Sequence, residues 1–106
     1  MKWQRIALVS DIPDDAPLET GIDREPLALY KVDGEVYCTS NLCTHSEAFL
    51  SDGYLEGYEI ECPLHGARFD IRDGRVLCQP AGKDIASYPT RVEDGAVFVG
   101  IPDPED

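Results

Sequence analysis

Two short stretches, Cys43-Thr44-His45 and Cys62-Pro63-Leu64-His65, each hold a thiol and an imidazole within a few residues of one another. Sixteen residues separate His45 from Cys62, enough for two loops to fold back and face each other. Two sulfur and two nitrogen donors then form a four-ligand metal set. Thiolates suit zinc or iron–sulfur chemistry and not magnesium or calcium. To bind, Cys43 and Cys62 must be thiolates, and His45 and His65 must be neutral at the coordinating nitrogen. Zinc-finger arms usually group Cys with Cys and His with His, whereas each arm here mixes the two; a structural zinc site still accounts for all four residues. A disulfide framework among Cys38, Cys43, Cys62 and Cys78 allows three pairings and leaves both histidines without a role.

These arms must be carried by strands. Ile6–Val9 reads as a first short strand, followed by a polar, proline-containing loop over Asp11–Pro17 with room for one helical turn. Leu27–Val32 and Glu35–Thr39 flank Asp33-Gly34, a dipeptide preferred in two-residue type I′ hairpins. The same reading applies to Arg68–Ile71 and Val76–Cys78 across Asp73-Gly74, and to Arg91-Val92 and Val97–Val99 across Asp94-Gly95. With no sustained helical periodicity, the expectation is one all-β domain over 1–106, built from antiparallel strands. The segment from about Leu42 to Gly66 breaks the regularity: it holds both arms, with Tyr54-Leu55 and Tyr58–Glu61 as short strands between them. The tail after Ile101 offers no core residues and is expected to fray.

Twenty-one acidic residues against nine basic ones give a formal charge of −12. Nucleic acid and anionic membranes would be repelled, whereas a basic protein surface would be attracted at long range. No apolar run approaches the roughly 20 residues that span a bilayer, and the amino-terminal residues lack a signal-peptide core. A soluble, cytoplasmic protein is expected, with Cys38 and Cys78 as reduced, buried thiols. There is no nucleophile–base motif and no Gly-x-Gly-x-x-Gly, so nothing beyond a metal group would transform a substrate.

The series Cys43–His45, Cys62-Pro63-Leu64-His65-Gly66, Phe69-Asp70 and Pro80-Ala81 resembles the Rieske ferredoxins, over almost the whole chain. The resemblance implies one [2Fe–2S] cluster, with Cys43 and Cys62 on one iron and His45 and His65 on the other. It implies a Rieske fold: a β-sandwich or barrel-like base with a small inserted cluster-binding subdomain, about 42–66, and the ligand loops at its tip. High-potential members carry an extra, disulfide-forming Cys in each loop, where this chain has Ala48 and Leu64. They also place sulfur-directed hydroxyls where this chain has Ala67 and Phe69. Those absences imply the low-potential branch. The implied role is not enzymatic: a monomeric carrier of single electrons from a flavin-dependent, NAD(P)H-oxidising reductase to a terminal oxygenase acting on aromatic rings. A small subunit of another redox enzyme, such as assimilatory nitrite reductase, and a zinc-stabilised interaction domain are the alternatives. Phe49, Leu50, Leu64 and Pro80 are candidates for an apolar collar at the tip.

Overall fold

The computed structural model describes residues 1–43, 48–64, 66–78 and 83–102. Its strands are β1 (Lys2–Leu8), β2 (Leu18–Ile22), β3 (Glu25–Val32), β4 (Glu35–Ser40), β5 (Tyr54–Glu56), β6 (Glu59–Glu61), β7 (Arg68–Asp70), β8 (Val76–Cys78), β9 (Ser87–Tyr88), β10 (Thr90–Glu93) and β11 (Ala96–Ile101). They form three antiparallel sheets, ordered β1-β11-β10, β2-β3-β4-β9 and β5-β6-β7-β8. The first two make the base. The third lies between β4 and β9 in the chain and runs from Tyr54 to Cys78, so it continues beyond Gly66.

Strand β3 is the wall shared by both parts. Successive side chains of a strand point to opposite faces, and Leu27, Ala28, Leu29 and Tyr30 are all fully buried. Leu27 and Leu29 pack with Val36, Cys38, Val97 and Val99 in the core of the base. Ala28 and Tyr30 pack on the other side with Cys43, Leu50, Ile60, Cys62 and Phe69. A strand covered on both faces needs the unbroken apolar run seen here. The Tyr30 hydroxyl is satisfied in this dry setting by Thr39 Oγ1 at 2.9 Å, which itself donates to the Ser40 carbonyl. Burial pushes the Tyr30 phenol pKa well up.

Two of the three Asp-Gly turns have the expected geometry. Asp33 and Gly34 have φ of 52° and 79°, and Asp94 and Gly95 have 51° and 79°, the two left-handed residues of a type I′ turn. Asp73-Gly74 does not. Only Gly74 has a positive φ, and its N–H donates to the Asp70 carbonyl at 2.7 Å, closing a five-residue turn. The Asp73 carboxylate accepts the Arg75 N–H at 3.0 Å, a local bond that holds Asp73 in a different turn. Strands β2 and β9 were not expected. β2 pairs with β3 through a tight turn at Asp23, another left-handed residue, with φ 54°. β1 begins at Lys2, earlier than the apolar run suggested, and Val9–Asp11 form a 3₁₀ turn closed by the Asp11 carboxylate on the Leu8 N–H.

An aromatic latch joins the third sheet to the base. The Tyr58 ring meets Tyr37 of β4 edge-on, 5.9 Å between centroids, and its hydroxyl donates to Asp33. The Arg72 guanidinium covers the Tyr58 ring at 4.3 Å and grips the buried Asp70 carboxylate through Nε (3.0 Å) and a terminal nitrogen (2.8 Å). Those bonds hold the Asp70 pKa below its ordinary value of 3.8. A depressed folded-state pKa gives stability that is present above the unfolded-state value and lost as pH falls through the folded one. Asp70→Asn is therefore expected to narrow the gap to the wild type as pH is lowered from 6 toward about 3. Urea midpoints of both proteins across that range check it, and a constant gap would place the bond's worth elsewhere.

Candidate metal centre

Cys43 and Cys62 stand 19 positions apart in the chain and meet in one buried cluster, 5% and 1% exposed. Each opens a loop of the same design. Leu42 bridges Phe49, and the Cys43 N–H donates to the Ala48 carbonyl at 3.0 Å. Glu61 pairs with Arg68, and the Cys62 N–H donates to the Ala67 carbonyl at 2.7 Å. Both loops thus hold six residues, begin at the cysteine and are closed five residues on. The equal Cys-to-Ala spacing was visible in the sequence, but it carries meaning only once both loops are seen to close there. The His45 and His65 positions lie within these loops and outside the described residues.

The closing pairs differ. Glu61 and Arg68 belong to a continuous sheet, and Arg68 Nε and a terminal nitrogen reach Glu61 Oε1 at 3.0 and 2.9 Å. Leu42 and Phe49 form an isolated bridge instead, secured by Asn41 and Ser51. The sequence reading passed over both residues, since an Asn and a Ser near a loop carry no special signal.

Most of the residues singled out around the loops lie among the described ones. Ala67 and Phe69 are fully buried beside Cys62 and carry no hydroxyl. Phe49 and Leu64 are exposed at 42% and 47%, joined by Leu42 at 44%. Leu50 is not: it opens a 3₁₀ turn over Leu50–Asp52 and its side chain is fully buried in the core with both cysteines. Pro80 lies outside the described residues.

None of the four cysteines forms a disulfide. Cys38 is buried in the core of the base, where burial pushes its thiol up to about 12, so it packs as a small hydrophobe. Cys78 is exposed, against the expectation of burial. It ends β8, an edge strand of its sheet, and its sulfur donates to the Gly66 carbonyl at 3.7 Å.

The donor set fits an iron–sulfur group. Two thiolates buried in one apolar cluster would be costly without a cationic centre to bind, and ferric ions would supply that charge. The apolar walls from Leu50, Ile60, Ala67 and Phe69 keep water from the sulfurs.

Comparison with known proteins agrees. Residues 2–89 match the model of the Rieske [2Fe-2S] domain. The ferredoxin component of the naphthalene 1,2-dioxygenase system of Pseudomonas putida is 46% identical over 101 residues, covering 95% of this chain and 97% of the relative. The Sphingomonas yanoikuyae B1 ferredoxin superposes with a TM-score of 0.90 at 42% identity, covering 95% of this chain and all of that one. The ferredoxin-like chain in a complex of reduced oxygenase and oxidized ferredoxin in carbazole 1,9a-dioxygenase matches with a TM-score of 0.84 at 33% identity, over 92% of this chain and 91% of that one. The chain therefore belongs to the Rieske [2Fe–2S] family, as an electron-transfer protein that carries a single [2Fe–2S] cluster.

Proposed function

We propose that the protein is the low-potential ferredoxin of a multicomponent oxygenase system. It takes electrons from a flavin-dependent, NAD(P)H-oxidising reductase and delivers them to a terminal oxygenase that attacks aromatic rings. The observation that carries this reading is the near full-length likeness, in both directions, to ferredoxin components of such systems. Cys43 and Cys62 would hold one iron, and His45 and His65 the other. The cluster, when bound, supplies reversible one-electron chemistry.

The chain's own residues do the rest. Leu42 and Phe49 at the neck of the Cys43 loop and Leu64 within the Cys62 loop are exposed apolar side chains, suited to excluding water when a partner closes over them. Ala67 and Phe69 offer no hydroxyl to sulfur, which supports a low potential. The absence of disulfides suits a reducing cytoplasm, and no helix among the described residues is long and apolar enough to cross a membrane.

Acidity supports docking to a basic partner. Glu56 and Glu59 face each other across β5 and β6, a like-charge pairing that works against the sheet. Arg68 reaches this face, 3.7 Å from Glu59 and 2.9 Å from Glu61. Reduction of the protein by its reductase is expected to slow steeply as salt rises from about 20 to 300 mM, where the Debye length shrinks below about 10 Å. Stopped-flow traces at limiting reductase check it. A flat salt profile would leave the charge as a solubility feature, and no reduction at any salt would overturn the carrier reading.

A further inference from the structure

The two cysteine loops are alike in size but not in what holds them shut. We propose that Asn41 is the positioning residue that keeps the Cys43 loop closed on the cluster, doing for that loop what the β6–β7 sheet does for the Cys62 loop. The proposal rests on the ligand assignment given above.

Asn41 is fully buried and uses both its backbone and its side chain across the neck of the loop. Its N–H donates to the Pro26 carbonyl at 2.9 Å, which fixes it to β3 of the base. Its carbonyl accepts the Leu50 N–H at 2.7 Å. Its Oδ1 accepts the Ser51 N–H at 2.7 Å, and its Nδ2 donates to Ser51 Oγ at 2.9 Å. Asn41, which precedes the Leu42–Phe49 bridge, is thereby bonded three times to Leu50 and Ser51, the two residues that follow it. Ser51 Oγ in turn donates to Glu19 of β2 at 3.4 Å, so the pin reaches a second strand of the base.

The Cys62 loop has no such need. Its neck lies inside a four-stranded sheet, between β6 and β7, with β5 and β8 on either side. The neck of the Cys43 loop has a single isolated bridge, Leu42 to Phe49, and both of those side chains are exposed. Among the described residues, the neck without the side-chain bonds of Asn41 would be held by that bridge and by backbone bonds. An amide suits the place because it offers an acceptor to a backbone N–H and a donor to a hydroxyl from one planar group, without placing a charge in the core.

The test measures iron release. The wild type, loaded with oxidised cluster, is mixed with excess EDTA, which binds ferric iron, and the loss of visible absorption is timed in native buffer. Iron and acid-labile sulfide analysis of the wild type comes first; its failure to show the cluster would sink the ligand assignment and not the pin. Asn41→Ala removes two side-chain hydrogen bonds and is expected to speed release about tenfold. Val97→Ala, in the separate core of the base, serves as a control that lowers global stability without touching the loop. Release from Asn41→Ala no faster than from Val97→Ala would overturn the proposal, because the pin would then act only through global stability. Should Asn41→Ala not fold, Ser51→Ala decides: it removes the bond from Nδ2 together with the Ser51–Glu19 bond, keeps the bond to Oδ1, and should speed release about threefold. A rate equal to the wild type's would overturn the proposal. A broadened electron paramagnetic resonance signal of the reduced variant, with the control's unchanged, would support it independently.

Discussion

Protein carrying Cys62→Ala is expected to purify without its cluster. The wild type should hold about two irons and two acid-labile sulfides per chain, and the variant close to none. The effect is all or nothing for a physical reason. Cys62 is 1% exposed, its backbone N–H is committed to Ala67, and its neighbours Ile60 and Phe69 are apolar. Alanine leaves no donor there, and no water can take its place in a wall of hydrocarbon. Cys43→Ala should behave the same way, since Cys43 shares that cluster of buried residues. Cys38→Ala and Cys78→Ala should keep the cluster: the first sulfur lies in the other core and the second at an exposed edge. Iron and sulfide assays on the four variants check this, and a full cluster in Cys62→Ala would remove that residue from the ligand set.

Gly74→Ala should cost far more stability than the same added methyl group does at an open turn. Gly74 has φ +80°, and a Cβ there would lie 2.0 Å from the Ile85 carbonyl oxygen and 3.0 Å from its carbon. The obstacle is backbone that cannot step aside, because the Ile85 N–H donates to the Gly74 carbonyl at 2.8 Å and the Ile85 side chain is buried. The neighbouring Asp84 carboxylate also accepts the Val76 N–H, at 2.9 Å. Gly34 is the control. It has φ +79° with nothing within 4 Å of the added carbon, so Gly34→Ala should cost only about 1 kcal/mol for its left-handed backbone. Gly74→Ala bears that cost and the clash, in total about 4 kcal/mol. At roughly 4–8 °C per kcal/mol for a domain of this size, thermal unfolding should separate the two variants by at least 10 °C. Equal midpoints would mean that residues 84–86 can shift freely.

How much of this could be read from the chain alone depends on how local each determinant is. The β3–β4 and β10–β11 hairpins were legible because their turns follow from one dipeptide each. Asp73-Gly74 carries the same two letters, but its glycine answers to Ile85, a residue distant in sequence, and the short-range rule misreads it. β2 escaped notice because Leu18, Glu19, Thr20, Gly21 and Ile22 carry little apolar signal, and its turn at Asp23 lacks a glycine. The two cysteine loops were recognisable from residue types and spacing. The burial of Leu50 was not, since a leucine beside an exposed phenylalanine has no mark of which way it faces. The exposure of Cys78 follows from β8 being an edge, and that is a property of the sheet order.

The order of the strands also sets how the chain can assemble. β2 through β4 and β5 through β8 are meanders, each paired with sequence neighbours, apart from the late addition of β9 to β4. The first sheet is different: Lys2 pairs with Ile101, and β11 sits between β1 and β10. Joining ends so far apart carries the largest loop-closure entropy in the molecule, and non-local pairings of this kind slow folding. A chain leaving the ribosome can build both meanders, with the Cys62 neck between β6 and β7, while β1 still waits for its partner. Val97 and Val99, which complete the core of the base, arrive only with β11. The neck of the Cys62 loop can therefore close early, on a body whose seam is the last part to be sewn.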